Sequence, residues 1–348
     1  MRPSRKRLPW AALPLIVASA VLAACSSSSS TAPPASPSPG ALKTGLKVYV
    51  IPKNLGNPYF TTADSAGSGG AIAALNALGE VGTETSGTAA TPASEIPAIQ
   101  AAITKGANVL IVSATDPTAL CPTLNSAMAK GITVVTYDSD APTCRDLFVE
   151  QASTAQIGTS EVDVLAKQIN DTGEIAIVSA AASATNQNAW ISYMKQELAK
   201  YPKMKLVSIV YGNDDPTTST QVTEGLLLQY PNLKGIISPT TVGIAAAAAV
   251  LDTPKYRGKI ALTGLGTPNS LKKYVADGTI KEFELWNPAN LGYLAAYAAV
   301  NFASGKITKT GGTFTAGKLG SFTVGADSII LLGPPFVFTA SNINQFNF

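Results

Sequence analysis

The chain has 348 residues, 46% hydrophobic and 14% charged, with a net charge of +3. That length suggests about two domains, and the apolar fraction is enough for full-sized cores. Most of the charge excess lies in the opening MRPSRKR, so the rest is near neutral and carries no nucleic-acid footprint. Histidine is absent, which excludes His-based metal sites, Ser-His-Asp and Cys-His arrangements, and the commonest general base. Neither a cofactor nor a bound metal is expected.

The basic start is followed by an apolar run, LPWAALPLIVASAVLAA, and a small-residue exit to Cys25. This pattern predicts a secretory signal peptide over 1–24. Its ending, LAAC, looks like a bacterial lipobox, which would make Cys25 the acylated first residue of the mature protein. SSSSSTAPPASPSPG then reads as a tether over 25–45, too polar and Pro-rich to pack. No later stretch reaches the ~18 apolar residues of a membrane span. The expectation is an extracytoplasmic body that meets the cell membrane through its lipid alone. With Cys25 lipidated, Cys121 and Cys144 remain as an even pair in an oxidising compartment. A disulfide between them is expected, two separate buried thiols being the alternative.

From Lys47 onward, short β-rich runs alternate with longer helical segments. KVYVI precedes a helix from about Pro58 to Leu78. NVLIVSA leads to the helix PTALCPTLNSAMAK, and ITVVTY closes the first series. After DLFVEQAS come a helix near Ala155 to Ile169, the strand EIAIVSA and a helix over Trp190 to Lys200. LVSIVY, GIISP and IALTGL follow, each with a helix after it. Apolar strands alternating with helices predict parallel sheets covered on both faces. Two such series predict an α/β fold of two doubly wound lobes.

Open parallel sheets bind ligands beyond the carboxyl ends of their strands. Those ends carry Lys53, Asn57, Tyr59 and Phe60, then Asp138 and Asp140, in the first series. In the second they carry Asn186 and Gln187, then Pro239, Thr240 and Thr241, then Gly264 and Gly266, then Trp286 and Asn287. Hydroxyls, amides and carboxylates beside aromatics suit a neutral polyhydroxylated ligand. A hydrolase using the carboxylates Asp138 and Asp140, two residues apart, is disfavoured. GLG at Gly264–Gly266 lacks the rest of a dinucleotide-binding loop.

These residues carry a resemblance. TNQNAW, SPTTVGIAAA, TGLGTP, KEFELWNPANLGY, AGKLGSFTVG and PPFVFTASNINQF resemble the rhamnose-binding members of the ribose-binding-like, type I sugar-binding proteins of ABC importers. IPK, TYDSD and the pair Cys121 and Cys144 resemble the sister group that binds autoinducer-2. That group has Asp-Gln where this chain has Asn186-Gln187, a departure that favours rhamnose.

The resemblance implies two lobes joined by three crossings, near Phe148, near Trp286–Pro288 and before Phe336. The lobes would comprise 46–147 with 288–332 and 148–287 with 333–348. They would close on a monosaccharide and dock onto a permease, with no catalysis, no nucleic acid and no second copy of the chain. Carried over by position, Lys53, Asp138, Asn186, Gln187, Pro239 and Thr241 match contact positions of the two groups, while Asn57 is a candidate contact from its place after the first strand. Phe60 matches an aromatic that covers the sugar, and Trp286 and Asn287 match the hinge-side contact. Where the ribose group has an Asp, this chain has Leu265 and Gly266, which suits a 6-deoxy sugar. Autoinducer-2, another monosaccharide, or delivery to a receptor instead of a permease are the rival readings.

Overall fold

The structure is a computed structural model that describes residues 41–348. The expected signal peptide, the lipidation site Cys25 and most of the tether lie outside the described residues.

The first lobe is built on β1 (Lys47–Ile51), β2 (Val81–Glu84), β3 (Val109–Val112), β4 (Thr133–Tyr137) and β5 (Leu147–Glu150). All are parallel, in the order β5-β4-β3-β1-β2. Between them run α1 (Pro58–Asp64), α2 (Ala71–Leu78), α3 (Pro92–Thr104) and α4 (Pro117–Ala129). The run VLIV of β3 is buried throughout, as a strand covered on both faces requires. Several helices begin at a proline just behind a capping residue, as Asn57-Pro58 and Asp116-Pro117 do. Proline lacks the N–H that a first helical turn leaves unpaired, and its φ suits that position. Such pairs turn the chain sharply from strand to helix and set the cap residues along the strand ends.

The second lobe follows with α5 (Thr154–Ile169), β6 (Gly173–Ser179), α6 (Thr185–Glu197), β7 (Met204–Tyr211) and α7 (Pro216–Gln229). It continues through β8 (Leu233–Ser238), α8 (Thr241–Leu251), β9 (Ala261–Gly264), α9 (Pro268–Ala276) and β10 (Glu282–Leu285). Its parallel sheet has the order β7-β6-β8-β9, and a parallel bridge between Leu265 and Glu284 brings β10 alongside. The chain then returns to the first lobe as α10 (Pro288–Ala303), which packs on α1, α2 and β4. The hairpin of β11 (Thr313–Thr315) and β12 (Ser321–Thr323) precedes β13 (Ile329–Leu331), which pairs with β5 at the edge of the first sheet. Finally β14 (Phe336–Thr339) pairs antiparallel with β10. The chain is thus an α/β fold with two parallel sheets.

Several details differ from the sequence reading. The helix expected over Pro58–Leu78 is two helices. A Cβ on Gly70 would stand 2.1 Å from the Ala63 carbonyl oxygen, and Gly69 has φ +77°, so the segment between them turns instead of continuing. Phe148, near which a crossing is expected, lies in β5 opposite Ile329, and the chain leaves the first sheet after Glu150. The helix expected from Trp190 starts at Thr185, so its first turn is polar and faces the other lobe. In GLG, Gly264 has φ +144° and its Cα lies so close to Ser238 that a Cβ would sit 2.0 Å from that carbonyl oxygen. The glycine serves strand packing there.

Cys121 on α4 and Cys144 in the loop after β4 form a disulfide, with Cα atoms 5.3 Å apart. Among the described residues no helix is long and apolar enough to cross a membrane.

Candidate functional site

The strand ends of the two sheets face each other across a cavity of about 350 Å³, part of it open to solvent. Its polar floor centres on Asp138. This residue follows β4 directly and has φ +61°, a left-handed conformation that a short polar side chain tolerates better than most. The Ser113 hydroxyl donates to Asp138 Oδ2 at 2.7 Å. Lys53 Nζ, from the loop after β1, lies 3.3 Å from the same oxygen. Both members of this ion pair are buried, so the charges offset one another while each keeps capacity for a further partner.

From the second lobe the first turn of α6 contributes Asn186 and Gln187. Ser179 Oγ and the Ala180 N–H both donate to Gln187 Oε1, at 2.6 and 2.7 Å. The side-chain carbonyl is therefore fixed inside its own lobe, which leaves the amide N–H groups as donors. Asn186 Nδ2 stands 3.4 Å from Asp138 Oδ1 across the cleft. Further bonds join the lobes nearby. Ser183 Oγ donates to the Thr115 carbonyl at 3.2 Å, and Thr185 Oγ1 to the Asp140 carbonyl at 3.0 Å. The lobes are closed on one another in this structure.

An aromatic wall covers the cavity. Phe60 meets Tyr59 and Tyr137 edge-on, with centroids at 5.1 and 6.2 Å. Trp286 lies 6.1 Å from both Tyr59 and Trp190, and its indole N–H donates to the Tyr59 hydroxyl at 2.8 Å. Burial, then the nearby Asp138 charge, push the Tyr59 phenol well up, so it stays protonated. Behind the wall, the Tyr137 hydroxyl lies 2.9 Å from both Asp64 oxygens. Burial raises that carboxyl well above its ordinary range. Leu265 and Leu285 complete the apolar side.

The sequence-expected residues Lys53, Asn57, Phe60, Asp138, Asn186, Gln187, Pro239, Thr241 and Trp286 all line this cavity. Asn287 does not. Its Oδ1 accepts from the Asn290 N–H at 3.3 Å, capping α10. Asp140 is also outside the lining, held by a bidentate contact from Arg145 at 2.7 and 3.0 Å. Among the described residues no cluster of His, Cys, Asp and Glu has the makings of a metal site.

Sequence reasoning missed Asp214 and Trp190. Asp214 follows β7, where the polar run GNDD after LVSIVY marks the strand end. Trp190 lies more than a turn into α6, beyond the strand-end positions.

A family model described as "Periplasmic binding protein domain" matches residues 48–307. Among solved structures, a sugar ABC transporter protein from Actinomyces odontolyticus is 44% identical. The match covers 87% of this chain and 98% of that one, with a TM-score of 0.68. An ABC transporter solute-binding protein from Clostridium phytofermentas, solved with bound L-rhamnose, is 37% identical over 87% and 98%, with a TM-score of 0.83. A protein from Clostridium saccharobutylicum in complex with AI-2 is 26% identical over 87% and 100%, with a TM-score of 0.81. The chain belongs to the periplasmic binding protein family: it is an extracytoplasmic substrate-binding protein of the ABC-transporter kind, and not an enzyme.

Proposed function

We propose that this protein captures a monosaccharide between its two lobes, L-rhamnose in particular, and hands it to an ABC importer permease. The observation that carries this reading is the cavity's division into two chemically distinct sides. Lys53, Asp138, Asn186 and Gln187 offer donors and acceptors to ring hydroxyls. Phe60, Leu265, Leu285 and Trp286 offer apolar surface to C–H groups and to a methyl substituent. A 6-deoxyhexose has both sides. The rhamnose-bound neighbour at 37% identity supports the same sugar. An amide at Asn186, where the autoinducer-2 group has an acid, weighs against the ligand of the 26% identical neighbour.

The two lobes would part about the three crossings to admit the sugar. Cys25 would carry the lipid that keeps the monomeric protein at the membrane beside its permease. Replacing that residue, Cys25→Ser, should release the protein from the membrane fraction without changing sugar affinity. A variant that stays fully membrane-bound would refute the anchor.

Thermal-shift measurements against a monosaccharide panel test the ligand class. A selective sugar at 100 times its Kd should add about 2.7 kcal/mol of stability. A panel in which no sugar raises the melting temperature would count against the reading.

A further inference from the structure

Asp214 is an acid in this cavity that neither the family resemblance nor the strand-end reading singled out. It reaches the lining through an unusual piece of backbone. Asn213 and Asp214 are consecutive non-glycine residues with φ of +54° and +49°. Left-handed conformations of this kind are disfavoured for L-residues and persist where surrounding structure holds them, often at ligand-binding sites. The surrounding structure here is visible. The Gly212 and Asn213 N–H groups donate to the Ser179 and Ala180 carbonyls at 2.8 and 2.9 Å, which pins the loop to the end of β6. The adjoining Asp215 caps α7 through the Thr218 N–H at 2.7 Å. Between these two anchors, the bend places Asp214 against the start of α8, where Thr240 Oγ1 donates to its Oδ1.

The second oxygen, Oδ2, receives no hydrogen bond from the described residues. A carboxylate accepts at two oxygens, with about four lone-pair sites in all. The wall of the cavity therefore carries unused acceptor capacity on the side of the second lobe. Burial raises the Asp214 carboxyl above its ordinary range, and the charge of Lys53, supplied by the other lobe, works against that rise. Lys53 thus faces one acid from its own lobe, Asp138, and one from the opposite lobe. In Gln187, by contrast, the side-chain acceptor is already engaged within its own lobe, and the Asn186 carbonyl accepts from the Gln187 N–H at 2.9 Å.

We infer that Asp214 is a specificity-determining residue: its free carboxylate oxygen is the second lobe's acceptor for one ligand hydroxyl, and it selects ligands that carry a donor there. This rests on the cavity being the monosaccharide site. The class of ligand it selects is a neutral polyol. A sugar acid or sugar phosphate would add a negative charge beside Asp138 and Asp214 with Lys53 alone to offset it.

The test is calorimetry of the full mature protein with L-rhamnose and its 2-, 3- and 4-deoxy analogues, on wild type, Asp214→Ala and Asp214→Asn. Asn tolerates the left-handed backbone, so the second variant keeps the loop; circular dichroism checks both folds. Asp214→Ala should weaken L-rhamnose by about 10- to 100-fold, the scale of one hydrogen bond to a charged group. One deoxy analogue should bind wild type and Asp214→Ala with equal affinity, because the partner hydroxyl is already missing. A folded Asp214→Asn or Asp214→Ala that binds L-rhamnose like wild type overturns the inference, and so does an equal loss on every analogue. Wild-type protein that binds no sugar at all overturns the ligand class as well.

Discussion

Asn186 and Asp138 face each other across the cleft at 3.4 Å, and this pair distinguishes the present site from one with an acid at both positions. In Asn186→Asp the amide donor becomes an acceptor opposite another acceptor. Leaving such a buried group mismatched costs about 1–3 kcal/mol, so rhamnose affinity should fall about 5- to 150-fold while the protein stays folded. Titration of both proteins with L-rhamnose checks this, and an unchanged Kd would remove Asn186 from the site.

A second residue gives a pH signature. Glu95 on α3 is fully buried, accepts from the Thr115 N–H and hydroxyl at 3.0 and 2.6 Å, and has no partner for its other oxygen. Burial raises its carboxyl to about 8 from the ordinary 4.5. The folded protein therefore keeps a proton that the unfolded chain releases above pH 4.5. Stability from this group is complete below that value and is lost as pH rises toward 8. Glu95→Gln keeps the acceptor for Thr115 and removes the titration. It should match wild type at pH 4 and exceed it by on the order of 3 kcal/mol at pH 7. Urea denaturation at the two pH values measures the difference, and an advantage that does not grow with pH would contradict the assignment.

Much of this residue-level chemistry was legible, because strand ends in a parallel fold announce their position. Lys53, Asp138, Asn186 and Gln187 each follow an apolar run. Asn287 does so too, yet its side chain turns back to cap its own helix, as Asn residues at such positions commonly do. Asp214 was hidden because its place depends on two left-handed residues, which no apolar pattern records.

At the scale of elements, the Cys121–Cys144 bridge ties α4 to the loop that follows β4. That loop has other supports: the Arg145–Asp140 ion pair, and the Ala141 N–H and Thr136 hydroxyl on Asp140, at 2.8 and 2.5 Å. The bridge should thus matter more to stability than to the position of Asp138. Replacing both cysteines by serine should cost about 2–4 kcal/mol and leave rhamnose affinity within a few-fold. Chemical denaturation and calorimetry on the double variant check the two halves; loss of binding in a folded variant would mean that the bridge holds Asp138 in place. The buried strands and most helices were readable from apolar runs and proline starts. The break at Gly69-Gly70 is hidden in the sequence, since a helical pattern continues on both sides of it. The four residues of β2, VGTE, alternate between exposed and half-buried at the sheet edge, and so carry too little apolar signal to stand out. The hairpin of β11 and β12 has three residues per strand, shorter than any pattern can mark.

For the whole molecule, two series of strands gave two sheets, and the family match spans both. LFVE, beside the crossing expected near Phe148, pairs with β4 and with β13 before the chain departs after Glu150. Only the late return of residues 329–331 to the sheet edge makes that visible. The direct bonds between Thr185 and Asp140, and between Ser183 and Thr115, are made across the cleft and would break if the lobes opened. Small-angle scattering should therefore show a smaller radius of gyration with saturating rhamnose than without it; identical profiles would argue against closure on the ligand.

The most direct measurement is competitive calorimetry of the purified mature protein with L-rhamnose and autoinducer-2. A cavity with an amide at Asn186, a neutralised Lys53–Asp138 pair and an apolar side at Leu265 and Trp286 should bind L-rhamnose one to one and more tightly. Tighter binding of autoinducer-2, or no binding of L-rhamnose, would contradict the assignment of this site to a deoxyhexose.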